Sequence, residues 1–242
     1  MKIKIIGVGG GGCNIVSYLS DKIDGVDFIL CDREEVKVDS DHVKFLPSSA
    51  LMNDKGVLQL LADNTEVVVL VACLGGVAGS TGVPMIARIA GEMGIEVVSM
   101  LTVPLLMEGR LRTEKAEHAV KEMLNYSSFL LRLHNECLMK YYGESSFFLG
   151  MRAVNELMRI VVSDVFLKHR VCDAEYFQRL LSGKAVGDKV NCFLGDTAEI
   201  FVRKENGLQH YFMSDEKKKE YNGTRLSLEA CFEELAKKNF TS

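Results

Sequence analysis

Five short apolar runs punctuate the first half of the chain, at residues 3–6, 28–31, 67–72, 97–101 and 129–133. Each is rich in branched side chains and lacks regular polar alternation, which predicts strands buried on both faces. Between them, at 14–20, 55–62, 84–93 and 113–125, apolar positions recur at helical spacing. Strands alternating with helices in this way predict an α/β doubly wound parallel sheet, expected over residues 1–144. Pro84 is expected near the start of its helix, where a missing N–H costs nothing.

The pattern changes after Tyr142 and Gly143. Residues 145–168 read as one long helix whose wide apolar face carries Phe148, Met151, Val154, Met158, Val161, Val162 and Val165. A shorter helix over 174–181 follows, with Asp173 as a natural N-cap, and the two define a central region at 145–181. From Lys189 the period drops to two, at 190–194, 198–203 and 209–213. Gly195-Asp196 and Asn206-Gly207 separate these segments as hairpin signals. A last amphipathic helix at 227–238 completes a reduced C-terminal α+β domain, expected at 182–242 and too small for an ample core of its own.

Composition narrows the function. The 242 residues are 48% hydrophobic and carry a formal charge of −4, which supports a sizeable core and argues against a nucleic-acid surface. The strand pattern starts at once, without a signal segment. The strongly apolar run 67–74 is too short to cross a bilayer, so a cytoplasmic protein with no direct membrane segment is expected. Seven cysteines never form a C-x-x-C pair and five histidines show no ligand spacing. The cysteines read as small buried hydrophobes, and no structural metal is expected.

The candidate chemistry lies in the glycines. In "KIIGVGGGGCNIVSYL", residues 4–19, a strand feeds a glycine turn and a helix start, a combination that presents bare N–H groups to a phosphate. The spacing Gly7-x-Gly9-x-x-Gly12, with Asp32 ending the next apolar run, also fits a Rossmann-like dinucleotide fingerprint. Both nucleotide folds therefore remain open at this point. A second cluster, "LVACLGGVAGSTGVPMIARIAGEMG" at 70–94, repeats the phosphate logic, and two such loops could hold opposite sides of one polyphosphate. Glu108 and Arg112 follow a strand end, where they could reach a ribose or phosphate or simply pair at i, i+4. Asn155 lies amid an apolar face and needs a polar partner; Asn135 alone reads as a helix cap.

Taken together, these motifs resemble the bacterial division GTPase FtsZ and, more distantly, tubulin. Gly7 through Asn14 match the family's GVGGGGxN. Gly75-Gly76-Val77-Ala78-Gly79-Ser80-Thr81 stands where the family has GGGTGTG, and Thr102, Pro104, Glu108, Gly109 and Arg112 meet T-x-P-F-x-x-E-G-x-x-R. The resemblance covers roughly residues 1–180 and implies GTP or GDP as ligand, with Mg2+ able to arrive on the nucleotide. It implies phosphate contacts from the N–H groups of Gly9, Gly10, Gly11 and Gly12, and from Gly75, Gly76 and Gly79, with Ser80 as a hydroxyl donor. It further implies Glu108 on the ribose, Arg112 on phosphate or sugar, Asn135 on sugar or base, and Asn155 reading guanine. A carboxamide supplies the donor and acceptor for that edge. Met151 stands where an aromatic residue usually stacks on the base.

Beyond Met151, the family pattern breaks in three further places. The segment "HVKFLPSSALMNDKG", expected as a loop toward the terminal phosphate, shows no glycine-alanine match. The catalytic pattern N-x-D-x-x-D meets "RVCDAEYFQRLL", so Val171 and Tyr176 replace two polar residues and Asp173 alone remains as a catalytic candidate. The tail is short. The resemblance thus implies a guanine-nucleotide-binding protein with slow or absent hydrolysis, self-associating into a dimer or filament, with co-assembly with a related protein left open. The alternatives are a Rossmann-type NAD-dependent or adenylating enzyme, and an interaction module without nucleotide.

Overall fold

The computed structural model describes residues 1–34, 42–51, 53–135, 151–152, 154–155, 158–159, 161–163, 198–204 and 207–212. Along the chain these form β1 (Ile3–Val8), α1 (Gly9–Ser20), β2 (Asp27–Asp32), β3 (Val43–Pro47), α2 (Asp54–Leu61), β4 (Val67–Cys73) and α3 (Val77–Glu92). They continue with β5 (Glu96–Val103), α4 (Arg110–Met123), β6 (Phe129–His134), β7 (Ala198–Lys204) and β8 (Gly207–Phe212). Short 3-10 turns at Ser48–Leu51 and Leu106–Glu108 precede α2 and α4.

One sheet runs through the molecule in the order β3-β2-β1-β4-β5-β6-β7-β8. The first six strands are parallel. Each of the five apolar runs became one of these strands, and β1 and β4 are buried along almost their whole length, as strands covered on both faces should be. The crossovers from β1 to β2 and from β4 to β5 leave in opposite directions, so right-handed connections put α1 and α3 on opposite faces. On the α3 face, Ile6, Ile29 and Leu70 of the sheet pack with Val57 of α2, Ile86 of α3 and Val120 of α4 in one core. On the other, α1 buries Ile15, Val16 and Leu19.

Several boundaries differ from the sequence reading. α1 begins at Gly9 rather than at residue 14, and α3 at Val77 rather than at 84. Glycine disfavours helix, but here each strand turns straight into a helix that packs back on the sheet, and tertiary packing overrides the propensity. Pro84 consequently lies inside α3 instead of near its start, where it removes the amide that would bond the carbonyl four residues back. The segment expected as a loop at 42–56 contains β3, a half-buried edge strand paired in parallel with β2.

The hairpin expected at Asn206-Gly207 forms as β7 and β8, with Lys204 opposite Gly207. It does not stand apart from the parallel sheet, however. β7 pairs antiparallel with β6, Phe129 opposite Val202, and extends that sheet by two strands. Of the long apolar face, Val154, Met158, Val161 and Val162 are buried. The expected strand at 190–194, the helices at 174–181 and 227–238, and Asp173 lie outside the described residues.

Candidate functional site

The strand order makes the gap between β1 and β4 the switch point of the sheet, where an open α/β sheet has a crevice beyond its carboxyl ends. Both glycine clusters lie there. α1 starts directly after β1 with Val8 as N-cap, and α3 starts after β4 with Gly76 as N-cap. Neither has a side-chain cap or an acidic residue in its first turn. α2 differs, since Asn53 accepts the Gly56 N–H at 2.9 Å and Asp54 occupies the first turn, whereas α4, like α1 and α3, has neither a side-chain cap nor a first-turn acid. α1 and α3 direct uncapped amides, and the partial positive charge of a helix end, at the same crevice.

The two loops touch. Gly9 turns at φ +74°, and a Cβ there would lie 3.4 Å from the Gly79 nitrogen and 3.6 Å from the Ala78 Cβ. Three other glycines let the helices sit down on β4. A Cβ on Gly12 would meet the Val71 carbonyl oxygen at 2.5 Å, one on Gly11 the Cys73 Sγ at 2.5 Å, and one on Gly79 the Cys73 carbonyl oxygen at 2.9 Å. Gly10 and Gly76 are exposed, Gly76 with nothing within 4 Å of its Cβ position. The expected row of phosphate-facing glycines therefore divides into open residues, Gly10 and Gly76, and tightly packed ones, Gly12 above all. Asn14, on the same helix, is exposed.

The third segment closes on the second loop. Leu74 donates its N–H to the Thr102 carbonyl at 2.8 Å, and Gly75, at φ +96°, fits between Pro104 and the Cβ of Arg112. The Gly75 N–H is taken by Ser80 Oγ at 2.8 Å, so the serine oxygen accepts a bond from the loop itself. Glu108 accepts the Leu105 N–H through Oε1 at 2.9 Å and holds the Arg112 guanidinium through Oε2 at 2.6 Å. The structure thus brings Glu108 and Arg112 beside the glycine loop, but engaged with each other as an i, i+4 pair. Around them Leu106, Met107 and Leu111 are more than 70% exposed.

Asn135 follows β6, half-buried, and its N–H donates to the Val103 carbonyl at 3.3 Å. Met151 and Asn155 are half-buried helical residues flanking buried Val154. Asp32, the acid of the dinucleotide fingerprint, lies beside the first loop, with Oδ2 3.5 Å from the Cβ position of Gly10. The thiols nearby are buried or half-buried. Burial pushes Cys13 up to about 12 and, with the charge of Asp32 adding to it, Cys31 up to about 11; burial raises Cys73 as well. Among the described residues no group of three or more His, Cys, Asp or Glu side chains could hold a metal ion. Nor is any described helix long and apolar enough to cross a membrane.

A model of the Tubulin/FtsZ family, GTPase domain, matches residues 54–143. The cell division protein FtsZ of Coxiella burnetii is 26% identical over 178 residues, covering 65% of this chain and 46% of the relative. That of Buchnera aphidicola subsp. Baizongia pistaciae is 30% identical over 158 residues, covering 57% and 41%. The chain spans about half the length of the curated relatives it matches. Among solved structures, the GTPγS-bound protofilament of CetZ2 from Haloferax volcanii superposes with a TM-score of 0.60 at 23% identity, over 75% of this chain and 63% of that one. The empty FtsZ dimer of M. jannaschii gives 0.57 at 22%, over 66% and 53%. At these identities the structures establish the fold. With the family match over residues 54–143 and the FtsZ relatives, they make this chain similar to the tubulin/FtsZ superfamily, as a divergent, FtsZ-like relative.

Proposed function

We propose that this chain binds a guanine nucleotide across its two glycine loops and that the nucleotide's state controls self-association into a dimer or filament. The observation that carries the reading is the meeting of two uncapped helix N-termini, those of α1 and α3, at the switch point of the sheet. Backbone amides and helix ends of this kind hold a polyphosphate without any basic side chain. The exposed amides of Gly10 and Gly76 would approach the phosphates most closely. Gly9 and Gly79 keep the two loops in register, and Gly11 and Gly12 hold α1 against β4.

Asn155 would read the guanine edge, with Met151 against the base and Asn135 near the sugar. Glu108 and Arg112 would take up ribose and phosphate after exchanging their mutual ion pair for the ligand. Mg2+ would accompany the phosphates. Because Val171 and Tyr176 leave Asp173 as the single matching carboxylate, hydrolysis is expected to be slow or absent. The support for assembly comes from the relatives: a CetZ2 protofilament carries GTPγS, and FtsZ forms a dimer.

Titration of nucleotide-stripped protein with GTP, GDP, ATP and NAD by calorimetry tests this reading, with Asn155→Ala alongside. Micromolar or tighter binding of GTP and GDP alone is expected, weakened about tenfold in the variant. Binding of NAD in place of GTP would overturn it and turn attention to Asp32 beside Gly10. Light scattering of the GTP-loaded and GDP-loaded protein then reads out assembly.

A further inference from the structure

We infer that Ser80 is a positioning residue that sets the shape of the second glycine loop, an inference that rests on the nucleotide reading above. The N-cap of α3 is Gly76, which has no side chain with which to hold the turn. Gly75, at φ +96° and confined by Pro104 and Arg112, has no room for one either. The loop must therefore be fixed from outside. Ser80, one turn into α3, does this through its side chain, whose Oγ accepts the Gly75 N–H at 2.8 Å, while its own N–H makes the ordinary first helical bond to the Gly76 carbonyl at 3.2 Å.

The direction of the side-chain bond matters for an anion site. An ordinary N-cap side chain accepts from the first-turn amides and so occupies the donors that a phosphate would use. The Ser80 bond instead takes the amide just before the cap and leaves Gly76, Val77 and Ala78 with theirs. A capping-box glutamate reaching back in the same sense would add a negative charge at the crevice, whereas a hydroxyl adds none. Ser80 thus orders the loop without competing for the ligand.

The test uses the full chain with Ser80→Ala and Ser80→Thr, reading three quantities: exchange of the Gly75 amide in ligand-free protein by NMR, the affinities for GTP and GDP by calorimetry, and Tm. Ser80→Ala is expected to speed Gly75 exchange about tenfold and to weaken both nucleotides about fivefold to tenfold. Its ligand-free Tm should stay within about 2 °C, and Ser80→Thr, which keeps the hydroxyl, should restore exchange and affinity. Parent-like affinity in the alanine variant overturns the inference while leaving the nucleotide reading standing, as does a threonine variant that restores nothing. A large fall in Tm in the alanine variant also overturns it, because the serine is then a general structural residue. If the parent binds neither GTP nor GDP, the nucleotide reading falls first, and the role given to Ser80 falls with it, whatever the Gly75 exchange shows.

Discussion

Gly10 and Gly12 occupy the same turn of α1, yet an added methyl would meet quite different surroundings. At Gly10 it would lie 3.5 Å from an Asp32 oxygen, and at Gly12 only 2.5 Å from the Val71 carbonyl. Gly12→Ala must therefore push α1 off β4 and is expected to lower stability by about 1–3 kcal/mol in a denaturant melt. Gly10→Ala should leave the melt nearly unchanged and weaken GTP binding severalfold, because the methyl stands where a phosphate oxygen would approach. The thiols give a second residue-level expectation. With Cys13 and Cys31 raised to about 12 and 11 by burial, both should resist iodoacetamide at pH 8 in the native protein and react once it is denatured; mass spectrometry distinguishes the two. The sequence showed that these glycines matter but not how they differ. Which of them faces a ligand and which faces a strand depends on β4, whose approach to α1 no spacing in the first motif records.

At the scale of elements, strands were legible and helix starts were not. Val67 to Ala72 can hardly be anything but a buried strand, whereas a run of glycine disguises the first turn of a helix as a loop. Gly9–Gly12 and Val77–Gly79 were hidden in this way: the sequence placed a helix start after each loop, but not that the loop residues are themselves its first turn. β3 escaped because an edge strand is only half-buried and Lys44 and Pro47 dilute its pattern. Asn206-Gly207 announced a hairpin but carried no information about its partner, since a turn specifies the two strands it joins and not the sheet they join. Capping gives the element-level prediction. Asn53→Ala removes the acceptor of the Gly56 N–H and should cost about 1 kcal/mol in a urea melt, with nucleotide affinity unaltered, because α2 is the helix whose end is already satisfied.

Across the whole molecule the two edges of the parallel sheet are built differently. The carboxyl edge leaves amides open, while the amino edge is cross-braced. Lys4, buried in β1, donates to the Leu60 carbonyl at 2.5 Å and pairs with Asp63 at 2.8 Å, and Lys2 and Thr65 also bond to Asp63. Burial works against the charged form of Asp63, but the hydrogen bonds from Lys2, Lys4 and Thr65 outweigh it and hold its carboxyl well below the usual carboxylate range. A carboxyl depressed in the folded state stabilises that state fully above its unfolded pKa, about 4, and the contribution drains away as pH falls below that value toward the folded pKa. Because the Asp63 side chain is 41% exposed, the effect is modest. Asp63→Asn should lose about 1 kcal/mol at pH 7, and the gap between variant and parent should narrow progressively below pH 4 in urea melts. A gap that stayed constant down to pH 2 would rule out the charge as its source.

The antiparallel pairing of β6 with β7 has a consequence for the order in which the protein can be made. Phe129 finds its partner in Val202, so the hydrogen-bonding edge of β6 is available long before the strand that covers it has left the ribosome. Loop-closure entropy delays so distant a pairing, and during that interval the bare edge of an otherwise finished sheet is a template for any extended chain nearby.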